Sequence, residues 1–123
     1  MYTDEASQIE RLEFSFGEMR DAGWDPDGDL LWGYFFVDVD VSKLQMLGEH
    51  LESLDYRFVD ILELENEYKE PSGKYMLHVE RVEIHRPDTL AKRNMALSQL
   101  ASQYAVSAYD GWDAGQVEAP AAI

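Results

Sequence analysis

The run Leu30-Leu31-Trp32-Gly33-Tyr34-Phe35-Phe36-Val37 constrains the fold more than any other stretch of the chain. In an extended strand successive side chains point to opposite faces, so Trp32, Tyr34 and Phe36 fall on one side. Leu31, Phe35 and Val37 fall on the other, with Gly33 between them. A strand this apolar on both faces belongs in the middle of a sheet. It falls well short of the roughly 20 residues a membrane helix needs. If helices cover the sheet on one face only, one of the two sets meets them. The other set is either covered by a further element or left open to a protein partner.

The flanking patterns supply those helices. Ile9, Leu12, Phe16 and Met19 trace one face of a helix over about Asp4 to Ala22, which Gly23 and the turn Asp25-Pro26-Asp27-Gly28-Asp29 bring to an end. After the aromatic strand, Ser42 and Gln45 read as a capping box, and Leu44, Leu47, Leu51 and Leu54 as one stripe of the helix that follows. A second strand is expected over about Tyr56 to Leu64, then a polar hairpin connection from Glu65 to Gly73. The third strand, about Lys74 to His85, changes phase between Leu77/Val79 and Val82/Ile84, which a bulge near Glu80-Arg81 would reconcile. Pro87 ends it, and Asp88 or Thr89 caps a helix with Leu90, Leu97, Leu100 and Tyr104 inward. A short strand, about Val106 to Tyr109, precedes a turn at Asp110-Gly111. The order is a helix followed by β-α-β-β-α-β. That is the α+β, ferredoxin-like sandwich, a four-stranded antiparallel sheet with an extra N-terminal helix. The expectation is one domain over residues 1–114 and a flexible tail over 115–123.

Charge narrows the partner. Lys and Arg total 10 against 25 Asp and Glu, a net charge of −15. Residues 1–70 hold 19 of those 25 acids and 5 of the bases. Phosphate recognition draws on clustered Lys and Arg, so direct binding of nucleic acid or of an anionic membrane is excluded as a reading. A basic protein surface is favoured instead. Trp24 and Trp112, each beside acidic turn residues, offer such a surface both charge and cation–π contacts. There is no cysteine. The acidic start Met1-Tyr2-Thr3-Asp4-Glu5 lacks the basic and apolar regions of a secretory signal, and a cytoplasmic location is expected.

Catalytic constellations are thin. His78, Glu80 and His85 lie on one strand, but His85 has the opposite parity, and a polar strand edge explains them better than a metal centre. Carboxylate pairs such as Asp25/Asp27 and Asp38/Asp40 arise by abundance alone. Neither a Gly-rich phosphate cradle nor a nucleophile elbow is present. No catalytic residue, metal ligand or cofactor is assigned on these grounds.

Asp25-Pro26-Asp27, the strand after it, the helix exit Leu54-Asp55-Tyr56 and the closing Tyr109-Asp110-Gly111-Trp112 resemble the regulator of ribonuclease E activity B family. The resemblance spans roughly residues 18–113. The family's helix exit usually reads Leu-Gly-Tyr, and Asp55 stands here in place of the glycine. Members often continue into a long acidic tail, whereas this sequence stops soon after Trp112. The resemblance implies a ferredoxin-like, non-catalytic protein that binds and inhibits ribonuclease E by protein contact, altering RNA processing. Asp25, Asp27, Tyr109, Asp110 and Trp112, in the matched motifs, are the expected partner-binding residues, together with Trp32 and Tyr34 of the aromatic strand. Two alternatives stay open. One is an immunity-type protein neutralising another basic partner, and the other a metal-dependent enzyme built on His78, Glu80 and His85. An exposed aromatic face would also suit a twofold homodimer.

Overall fold

The computed structural model describes residues 5–117. Its elements are α1 (Glu5–Asp21), β1 (Leu30–Asp38), α2 (Val41–Ser53), β2 (Arg57–Glu65), β3 (Pro71–Glu83), α3 (Pro87–Gln103) and β4 (Ala108–Gln116). The strands form one sheet in the order β2-β3-β1-β4, with every neighbouring pair antiparallel. This is an α+β fold with the ferredoxin-like order, preceded by an extra helix.

The aromatic strand β1 is an inner strand, as its apolar faces require. Trp32, Tyr34 and Phe36 are fully buried with Leu44, Leu47 and Leu51 of α2, Leu77 and Val79 of β3, and Leu90 and Leu97 of α3. Each such large side chain contributes about 1.5–3 kcal/mol on burial. Helix α1 joins this same side: it packs along α3, and Phe16 stacks on Trp32 at a centroid distance of 5.9 Å. Leu31, Phe35 and Val37 therefore remain on a face that no described helix covers.

Each helix is closed by the same backbone device, a pair of hydrogen bonds around a residue with positive φ. Gly23 (φ 88°) ends α1, Asp55 (φ 73°) ends α2 and Ala105 (φ 55°) ends α3. The amides of Trp24, Tyr56 and Val106 donate to the carbonyls of Met19, Leu51 and Ala101 at 2.9, 3.1 and 2.9 Å. Asp55 thus performs at the Leu54-Asp55-Tyr56 exit the left-handed turn for which glycine is better suited.

Local expectations are corrected in five places. The N-cap of α2 is Asp40, not Ser42; its carboxylate accepts both the amide and the hydroxyl of Ser42, at 2.9 and 2.6 Å. The N-cap of α3 is Arg86, with Pro87 in the first turn and the Thr89 hydroxyl accepting from the Arg86 amide at 2.8 Å. Strand β3 starts at Pro71, so the hairpin connection is only residues 66–70. It also pairs with β1 without interruption from Tyr75 to Glu83, so there is no bulge at Glu80-Arg81. The irregularities of that hairpin lie at Val59 of β2 and near its tip, where Ser72, Gly73 and Lys74 of β3 stand opposite Leu64 alone. The phase change has another cause: the helix-facing positions Leu77 and Val79 continue into Arg81 and Glu83, and the inward face turns polar.

The fifth correction concerns Asp110-Gly111, which is not a turn but a bulge inside β4. Phe36 pairs with Tyr109 and Phe35 with Gly111, leaving Asp110 as the extra residue, and Gly111 takes φ 109°. The strand runs on to Gln116, so Gly115 and Gln116 are sheet rather than tail. The rest of the expected tail, residues 118–123, lies outside the described residues.

Candidate partner-binding surface

The uncovered face of the sheet is built by alternate residues of all four strands, and the registers place them in rows. Leu62, Met76, Val37 and Ala108 form one row, and Asp60, His78, Phe35 and Gly111 the next. Glu80, Gly33 and Asp113 follow with Arg57 at the edge, then Val82, Leu31 and Gly115. Leu62 is 53% exposed and Val82 51%. The His78 ring stacks on Phe35 at 4.6 Å, and Arg57 Nη1 reaches Glu80 Oε1 at 3.2 Å. The face is an apolar and aromatic strip interrupted by carboxylates.

A hollow lies at its centre. A Cβ placed on Gly33 would stand 2.3 Å from Asp113 Oδ1 and 3.0 Å from His78 Nε2. Only glycine leaves room for those two polar groups to lean together across the strand. The resulting cavity measures about 230 Å³ and is walled by Leu31, His78, Glu80, Asp113 and Gly115.

On the helix-covered side a second polar group of residues lies half inside the core. Glu83 accepts from the Tyr34 hydroxyl at 2.8 Å, and Arg93 Nη1 donates to both of its oxygens at 2.8 Å. His85 Nε2 is 3.1 Å from both Glu83 Oε2 and the Tyr34 hydroxyl, while its Nδ1 faces Thr89. Burial alone would raise the Glu83 pKa, but hydrogen bonds from His85, Tyr34 and Arg93 prevail and hold it at about 2. Burial, with the Glu83 charge beside it, pushes the Tyr34 phenol far above its ordinary value. The Arg93 guanidinium also lies over the Tyr34 and Tyr56 rings, at 5.9 and 5.6 Å. Every oxygen of the Glu83 carboxylate is engaged, so this network ties β1, β3 and α3 together as a structural strut.

The residues expected at a partner surface separate into three groups. Trp32 and Tyr34 lie at 0% exposure in the core, because even-numbered positions of β1 face the helices, and so they are not part of the open face. Tyr109 and Trp112 also face the core, half-buried. Their parity would put them on opposite faces of a regular strand, but the Asp110-Gly111 bulge brings both to the same side. Tyr109 donates to Asn94 Oδ1 at 2.6 Å, and Trp112 packs 5.5 Å from Trp32. The Tyr109-Asp110-Gly111-Trp112 element is thus a packing device of an edge strand.

Asp25, Asp27 and Asp110 are exposed. Asp25 also accepts the Asp27 amide at 3.1 Å, and Asp27 pairs with Arg20 at 3.0 Å, so both hold their own turn together. The three residues of the metal reading are not brought together. His78 and Glu80 face the open side, and His85 lies buried on the other, beside Trp32. Leu31, Phe35, Asp60 and Asp113, which shape the open face, carried no motif. The alternation of the aromatic strand was their one signal, and it did not say which set faced outward.

The fold defines an α+β domain of ferredoxin-like order with one acid-studded sheet face that no described helix covers. The chain belongs to the family described as regulator of ribonuclease activity B, whose model matches residues 10–114. No curated protein matches it. No described helix is long and apolar enough to cross a membrane.

Proposed function

We propose that this protein is a non-catalytic, cytoplasmic regulator that binds a ribonuclease E-type endoribonuclease and inhibits it by protein–protein contact. The observation that carries this reading is the family match over residues 10–114. The net charge of −15 supports it, since an acidic domain is attracted to the basic surfaces with which a nuclease holds RNA and is repelled by RNA itself. The regulator therefore acts on the enzyme and not on its substrate. Binding relies on charge for its association rate and on apolar contact for its lifetime.

A salt series tests this. Immobilised nuclease should capture the protein at about 50 mM salt, with an association rate that falls several-fold by about 300 mM. Absence of capture at low salt would remove the reading.

A further inference from the structure

We propose that the open face of the sheet is where the partner docks, and that an arginine or lysine side chain of the partner seats in the hollow over Gly33, between Asp113 and Glu80. The proposal rests on the reading above that the partner is a nuclease with a basic surface. Three features of the face carry it.

The first is exposure. Leu62 and Val82 stand half in solvent beside the half-buried Leu31, Phe35 and Val37, while all three helices pack on the opposite face. The second is the shape and chemistry of the hollow. Gly33 contributes no side chain, the stacked Phe35 and His78 rings lie alongside, and Asp113 and Glu80 flank the opening. Asp113 makes no ion pair among the described residues. Glu80 is only 12% exposed; its partner Arg57 is 75% exposed and His78 Nε2 stands 4.0 Å away, so an incoming cation competes with a weak surface pair and a distant imidazole. A guanidinium placed there would meet two carboxylates and lie near an aromatic face.

The third feature is charge complementarity. A second copy of this chain would set one face bearing Asp60, Glu80 and Asp113 against another like it, and each copy carries −15. Like charges across a contact disfavour it, whereas a basic strip with apolar neighbours matches both the carboxylates and the apolar rows.

The test uses the full chain and the purified nuclease. Asp113→Lys and Val82→Arg alter the open face at surface positions, and Gly33→Ala pushes Asp113 and His78 out of their places beside the hollow without a change of charge. Glu52→Lys, on the exposed side of α2, is the control for charge alone. Circular dichroism establishes that each variant is folded. Asp113→Lys and Val82→Arg should weaken binding by about tenfold or more and Gly33→Ala by several-fold, with the control within about threefold. If wild-type protein binds and the open-face variants bind as the control does, the docking site is overturned while the regulator reading stands. If wild-type protein does not bind, the regulator reading itself fails. Sedimentation showing a wild-type dimer that Val82→Arg turns into a monomer would assign the face to self-association and also overturn the proposal.

Discussion

Asp55 and Ala105 hold left-handed backbone at the ends of α2 and α3, where a side chain costs free energy that glycine does not. Asp55→Gly and Ala105→Gly should each raise stability, by about 0.5–1 kcal/mol, read as a shift in the urea midpoint at unchanged slope. Glu83 works in the opposite sense. Its folded pKa of about 2 lies below the ordinary 4.5, so its contribution is fully present above about pH 4.5 and is lost as pH falls toward 2. Glu83→Gln leaves the Arg93 guanidinium without its carboxylate and should cost about 2–3 kcal/mol at neutral pH. The difference between wild type and Glu83→Gln should then shrink steadily as unfolding is repeated from pH 5 down to about 2. A difference independent of pH would rule out the charged network as its cause.

Between elements, α2 approaches β2 closely at Gly48. A Cβ on Gly48 would fall 2.2 Å from the Phe58 ring, so Gly48→Ala should destabilise by about 1–3 kcal/mol despite the better helix propensity of alanine. A more stable Gly48→Ala protein would show that Phe58 gives way easily.

At this scale the sequence was most legible where hydrophobic period decides the structure. The stripe Leu44, Leu47 and Leu51 of α2, that of α3, the order of the four strands and the inner place of β1 all follow from it, whereas Leu54, expected on the α2 stripe, lies past the helix end and is 47% exposed. It was least legible where long-range pairing decides. Asp110-Gly111 carries the chemistry of a turn, yet pairing with β1 absorbs it as a bulge, and only the register reveals that Tyr109 and Trp112 share a face. The polar turn of β3 at Arg81 and Glu83 looked like a break in pattern because its partners, Tyr34 and Arg93, sit on β1 and α3. The same limit left the two faces of β1 undecided: alternation separates Trp32 and Tyr34 from Leu31 and Phe35, the packing of α2 and α3 decides which pair is inward, and the position of α1 beside α3 leaves the other open.

For the molecule as a whole, the acidic balance and the uncovered face act together. Residues 1–70 carry most of the carboxylates, including Asp60 on the open face and Glu63, Glu65, Glu67 and Glu70 on and beside the β2–β3 connection. Attraction to a basic partner is long-ranged and screened by salt, while the apolar rows act only at contact. The account therefore stands most directly on nuclease kinetics. Cleavage of a structured RNA by purified ribonuclease E-type enzyme should slow progressively as this protein is titrated in at about 50–100 mM salt, with higher salt weakening the effect. Pre-incubating the protein with the RNA alone should leave the RNA unbound. Unchanged cleavage at saturating protein and low salt, or inhibition that tracks binding to the RNA, would contradict it.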